Sequence, residues 1–441
     1  METKTAVDLL IKPAWVVPVQ PEGAVLSDHA VAVTSGRITQ ILPAGQADQA
    51  LAPAEVVELP SHALIPGLVN LHTHAAMVLM RGLADDLSLM DWLSNHIWPA
   101  EAEHVSEQFV QEGTLLACAE MLRGGVTCFN DMYFYPEMSG RAALQAHMRA
   151  ALGIILLEFP TRYAADAQDY LRKGLETRDE LKNEALLSFC MAPHAPYTVG
   201  DKSFEQIATL ADQLQIPVHI HVHETKLEIE ESIKQHGARP LERLRRLGLV
   251  GPQMIAVHAV HLEDTEIALL AGQGASVAHC PASNLKLASG FAPVGAMLST
   301  GLNVGLGTDG AASNNRLDVL GDLRLAALLA KAASADPRAL PAHSALRMAT
   351  LAGARALGLE AEIGSIERGK AADLVALNLS SLELSPCYDP VSQVVYAAGR
   401  EHVSHVWVRG ELLVKDGVLL HLDEQEIESR ARIWRQRIAK T

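Results

Sequence analysis

The chain predicts an α/β protein: a (β/α)8 barrel carrying a small β-sandwich domain built from both chain termini. Three observations predict it. Across the middle of the 441 residues, eight short apolar runs alternate with amphipathic stretches of helical period. These runs are near-continuous in Val, Ile, Leu and Ala, as strands buried on both faces of a parallel sheet must be. Most of them end on His or Asp, and a barrel gathers the C-terminal ends of all its strands onto one rim. A doubly wound open sheet is the competing fold, but no Gly-x-Gly-x-x-Gly follows an early strand.

Residues 8–20, 30–42 and 56–59 read as Val- and Ile-rich strands punctuated by Pro, Gly and Asp, the N-terminal part of the sandwich (1–64). The barrel is expected over 65–366, with strands at 68–74, 126–131, 153–158, 188–193, 218–223, 254–258, 275–279 and 303–308. Residues 367–441 return to the first texture. There 372–379 and 403–420 read as strands, with Arg409-Gly410 and Asp416-Gly417 as hairpin turns. Residues 424–440 read as a charged, solvent-facing terminal helix.

A formal net charge of −16 with no Lys/Arg block argues against a nucleic-acid or anionic-membrane partner and leaves small molecules open. The five cysteines are odd in number and form no Cys-x-x-Cys, so neither a disulfide framework nor a thiolate zinc site is suggested. No signal-peptide core opens the chain and no apolar run reaches about 18 residues. The expected location is therefore cytoplasmic, with a homo-oligomer left open.

His72 and His74 stand at i and i+2 of a strand end, so both imidazoles point to one side. Two neutral imidazoles are half of a tetrahedral metal site. Strand four ends in His194; strand five carries His219, His221 and His223, followed by Glu224. Strand six ends in His258, strand seven in His279 and strand eight in Thr308-Asp309. His72, His74 and one strand-five histidine would supply three nitrogens and Asp309 a carboxylate oxygen, leaving a position for water. A divalent ion there would draw the pKa of that water towards neutrality. A strand rises about 3.3 Å per residue, so the three strand-five histidines cannot all reach one ion. Periodicity does not separate His221 from His223. Glu224 has the wrong parity to join them unless the strand ends or bulges there.

These residues resemble the amidohydrolase superfamily, in its cytosine/adenosine deaminase-like, chlorohydrolase-like branch. The motifs are Pro66-Gly67-Leu68-Val69-Asn70-Leu71-His72-Thr73-His74, His221-Val222-His223-Glu224, Val257-His258-Ala259-Val260-His261-Leu262, His279-Cys280-Pro281-Ala282-Ser283-Asn284 and Gly307-Thr308-Asp309-Gly310. Within that branch, Trp92-Leu93, Ile97-Trp98-Pro99-Ala100-Glu101 and His194-Ala195-Pro196-Tyr197 are similar to the bacterial 5'-methylthioadenosine/S-adenosylhomocysteine deaminases. The resemblance implies a TIM-like barrel and hydrolytic deamination of an adenine nucleoside. It selects His221 to join His72, His74 and Asp309 as metal ligands, and Glu224 as the proton donor. It further implies that His258 bonds the attacking water, Glu101 holds ribose hydroxyls, His194 contacts the nucleoside and Trp92 belongs to the substrate loop.

Two-metal branches of the superfamily use a strand-four lysine, and Met191-Ala192-Pro193-His194 has none, so one divalent metal is implied. Zinc suits the donor set best; Fe(II) or Mn(II) would fit the same cage. Relatives carry arginines after strand three, whereas here only Arg162 lies near an apolar, proline-bounded stretch. That favours 5'-methylthioadenosine or adenosine over S-adenosylhomocysteine. The roles of Arg162 and His279 stay open. The rival reading is a guanine, pterin or triazine deaminase, or a dechlorinase, with the same cage and different rim loops.

Overall fold

The computed structural model describes residues 4–439. Eight parallel strands form one sheet in sequence order: β1 (Leu68–Thr73), β2 (Val126–Asp131), β3 (Arg149–Leu156), β4 (Leu187–Pro193), β5 (Val218–Val222), β6 (Met254–His258), β7 (Ser276–His279) and β8 (Asn303–Leu306). The sheet curls until β8 meets β1. There the Asn70 side chain bridges both ways, accepting from Thr308 N at 2.9 Å and donating to Thr308 Oγ1 at 2.8 Å. Asp309 N donates to His72 O at 2.9 Å just beyond. This explains a polar residue inside an otherwise apolar strand. Helices cover the outside, several opened by a side-chain cap: Ser106, Asp166, Thr225 and Asp318 each accept from a first-turn N–H.

The chain ends build a second, mixed sheet of nine strands. Its order runs from the C-terminal strands (Val403–Val408, Glu411–Lys415) through Leu374–Asn378 to Leu51–Pro66, Thr5–Val16 and the hairpin His29–Thr34/Arg37–Pro43. Leu9, Ile11, Val31, Leu64, Leu374 and Trp407 share its apolar layer. A buried ion pair ties this sheet to the barrel, Arg149 on β3 reaching Asp373 through Nε at 2.7 Å and Nη2 at 3.2 Å.

Several element boundaries differ from the sequence reading. Residues 30–42 are two strands, because Ser35 and Gly36 both take positive φ (52° and 75°) and reverse the chain. The strand expected at 56–59 runs from Leu51 to Pro66, its Pro and Glu residues hiding it. The terminal helix Glu424–Ile438 is not simply solvent-facing: Ile427 and Trp434 are buried, Trp434 standing edge-on to Phe109 with centroids 5.2 Å apart. Lys440, the last residue of the expected helix, lies outside the described residues. The C-terminal hairpin turns fall at Arg409-Gly410 and Asp416-Gly417, all with positive φ. All five cysteines are free thiols. No helix of the described residues is long and apolar enough to cross a membrane.

Candidate active site

Residues from the ends of β1, β5, β6 and β8 converge on one point. Asp309 Oδ1 lies 3.2 Å from His72 Nε2 and 3.3 Å from His74 Nε2. His221 Nε2 lies 3.2 Å from His72 Nε2. The outer nitrogens fix which way these rings face. His74 Nδ1 is 2.6 Å from Met132 O and His221 Nδ1 is 2.7 Å from His194 O. A carbonyl can only accept, so each Nδ1 carries a proton and each Nε2 faces inward, where the ring in its neutral form would offer a lone pair. His72 Nδ1 meets His219 Nε2 at 2.9 Å. Two overlapping groups of donors close enough to share an ion, His72–His74–Asp309 and His72–His221–His258, meet at His72, and imidazoles with a carboxylate oxygen are the donor types of a divalent metal. The residues present fit such an ion.

Backbone geometry resolves what periodicity left open. β5 ends at Val222, and His223 takes φ +56°, a left-handed turn rare for a non-glycine residue. That turn sends the His223 ring away from the cluster, where its Nε2 accepts from Leu241 N at 3.1 Å. It also brings Glu224 round to the cavity floor, 3.7 Å from His258 Nε2. His258 and Asp309 turn the chain in the same way, with φ +67° and +63°. Close approach completes the site: a Cβ on Gly307 would meet His72 N at 2.9 Å and its Cβ at 2.7 Å.

Electrostatics follow from burial. Burial would raise the Asp309 carboxyl, but hydrogen bonds from His72 and His74 hold it well below the usual range. Burial pushes His72 down to about 4, whereas at His74 the Asp309 contact outweighs burial and holds the ring up at about 9. Burial also raises the Glu224 carboxyl.

A cavity of about 450 Å³ opens above the cluster, and Glu101, His194, Trp92, Glu224, His258 and Asp309 all line it. Glu101, on the helix Trp98–His104, accepts from Tyr133 Oη at 2.8 Å, and burial raises it to about 7. His194 stands beside His221 with its Nδ1 3.0 Å from Thr198 Oγ1, burial lowering it to about 3. The outer wall is apolar, with Leu93, Ile97, Trp98, Leu157, Phe159 and Pro160. Arg162 is exposed and lines the mouth. Its carbonyl accepts from Tyr135 Oη at 3.0 Å, and Tyr170 Oη meets Thr161 Oγ1 at 2.6 Å, so tyrosines pin this rim loop.

Sequence reasoning missed Tyr133 and Asp131. Asp131 Oδ1 accepts from Ala75 N and Thr73 Oγ1 and so shapes the turn after His74. Its position at a strand end was the available signal.

A (β/α)8 barrel that gathers imidazoles and a carboxylate at the floor of a rim cavity defines a metal-dependent hydrolase. The chain belongs to the amidohydrolase family, whose model matches residues 63–413. It is 47% identical to a 5-methylthioadenosine/S-adenosylhomocysteine deaminase of Teredinibacter turnerae, covering 99% of each chain. The crystal structure of a zinc-bound adenosine deaminase from Xanthomonas campestris is 49% identical, superposes with a TM-score of 0.99 and covers 100% of both chains. A zinc-bound atrazine chlorohydrolase from Arthrobacter aurescens shares the fold at 24% identity, with a TM-score of 0.88 over 97% of this chain and 99% of that one.

Proposed function

We propose that this protein is a metal-dependent hydrolytic deaminase of adenine nucleosides, acting on 5'-methylthioadenosine and related 5'-substituted adenosines. The observation that carries it is one cavity that joins a metal-type donor cluster and a buried acid, Glu224, to a second carboxylate, Glu101, and an apolar wall. The family and the deaminases similar to this chain support the same chemistry. Residues 65–366 are taken as the catalytic barrel, and 1–64 with 367–441 as the small β domain built from both chain ends.

His72, His74, His221 and Asp309 would hold the metal, zinc in the first instance. Such an ion supplies Lewis acidity and lowers the pKa of water. Glu224, its carboxyl raised by burial, delivers a proton to N1 of the adenine ring, which makes C6 electrophilic. His258 accepts a hydrogen bond from the attacking water, whose oxygen adds to C6 as Asp309 takes one of its protons. That proton passes to the exocyclic amine, the C6–N bond breaks to release ammonia, and the remaining hydroxyl proton returns to Glu224 as the C6 carbonyl forms. Glu101 accepts from the ribose hydroxyls, and His194 and Trp92 bound the nucleoside. The apolar wall receives the 5' methylthio group at lower cost than a zwitterion, which would lose hydration there.

Ammonia release from 5'-methylthioadenosine, S-adenosylhomocysteine, adenosine, guanine, pterins and triazines, with bound metal quantified, tests this reading. Turnover should be highest for 5'-methylthioadenosine. A protein active only on guanine, pterins or triazines would refute it.

A further inference from the structure

The motif His279-Cys280-Pro281-Ala282-Ser283-Asn284 includes His279 and Asn284, both buried and neither used by the scheme above. The short helix Pro281–Lys286 follows β7 across the rim. Its Ser283 hydroxyl donates to Asp309 Oδ2 at 2.6 Å. Its next residue, Asn284, sets Oδ1 2.8 Å from His258 Nδ1. One helical turn therefore touches both residues assigned to the attacking water. Beside it, Asn284 Nδ2 and His279 Nδ1 are buried with no hydrogen-bond partner among the described residues. Both residues line one small cavity of about 10 Å³, walled by Pro281, Val294 and Ala330. That is the space of about one water, and a donor and an acceptor are the least such a water needs.

An amide accepts through oxygen and donates through nitrogen, so its orientation decides where His258 carries its proton. With Oδ1 towards His258, the ring holds hydrogen on Nδ1 and Nε2 is a lone pair available to water. With the amide reversed, Nε2 would carry the hydrogen and change from acceptor to donor. A partner for Nδ2 holds the amide in the first orientation. Burial keeps the His279 ring neutral, pushing it down to about 3, so it has a lone pair to offer.

We propose that Asn284 is a positioning residue that holds His258 as its Nδ1–H tautomer, and that one buried water joining Asn284 Nδ2 to His279 Nδ1 fixes the amide. The kinetic consequence rests on the deaminase reading; the tautomer does not. Neutron diffraction from deuterium-exchanged crystals of the metal-loaded protein should show deuterium on His258 Nδ1 and one water in the small cavity. A bare Nδ1, or a dry cavity, overturns the proposal. Asn284→Leu should lower kcat by roughly 10–100-fold, with KM and bound metal unchanged. Asn284→Asp keeps an acceptor oxygen towards His258 and should recover most of that loss. Equal losses in both variants, or a loss that tracks metal content, overturn it as well. If the native protein releases no ammonia from any nucleoside, the deaminase reading fails while the neutron result still decides the tautomer.

Discussion

Glu224 shows how a single residue acquires its chemistry. It directly follows a histidine that faces elsewhere, and burial, helped by the Asp309 charge and opposed by His258, lifts its carboxyl above the ordinary range. Proton transfer by a positioned acid is worth about 10²–10⁴-fold, so Glu224→Gln should lose that much turnover while its metal content stays native. Full activity in that variant would remove Glu224 from the mechanism. Glu101 makes a pH prediction. Its carboxyl is raised from 4.5 to about 7, so it gains a proton as pH falls through neutrality and loses its strength as a ribose acceptor. KM for the nucleoside should rise below about pH 7 and level off above it, and Glu101→Gln should flatten the profile. An unchanged KM across that range would place ribose recognition elsewhere. At this scale His72, His74 and Asp309 were legible as strand-end donors. Periodicity did not choose between His221 and His223, because the choice depends on a φ of +56° that no periodicity encodes; only the family resemblance pointed to His221.

Elements meet at the site through small residues and polar seams. β8 approaches β1 closely enough that Gly307 has no room for a Cβ against the His72 backbone. Gly307→Ala should push the two strand ends apart, separating His72 from Asp309. The expected outcome is a metal dissociation constant raised at least about tenfold, measured by competition with a chelator. Native affinity would show that the seam yields elsewhere. On the outer face, Gly174 of helix Ala167–Leu181 lies against β3, where a Cβ would come 2.3 Å from Ile154 Cγ2. Gly174→Ala should cost about 1–3 kcal/mol, read from denaturant unfolding, and leave KM unchanged. The barrel strands were readable because burial on both faces makes them continuously apolar. Leu51–Pro66 was not, because its middle is exposed and carries Pro and Glu.

The whole molecule is held together by contacts between distant segments. Arg149 and Asp373 are 224 positions apart and both buried, and Asp373 Oδ1 also accepts from Arg409 N at 3.0 Å. Removing one partner leaves an unpaired buried charge, so Asp373→Ala should cost about 3–5 kcal/mol and lower Tm, with little change in kcat for the fraction still folded. A Tm equal to that of the native protein would mean the pair contributes nothing to the joint. The terminal helix, expected to face solvent, docks through Trp434, whose Nε1 donates to Glu112 at 2.6 Å.

By itself the sequence determined the barrel, the terminal sheet and the kinds of donor at the rim, since local burial pattern and side-chain chemistry are properties of short segments. Only the tertiary structure decided which donors meet, because convergence depends on strand closure and on left-handed turns at His223, His258 and Asp309. These conformations are disfavoured locally and are held by contacts between residues far apart in the chain.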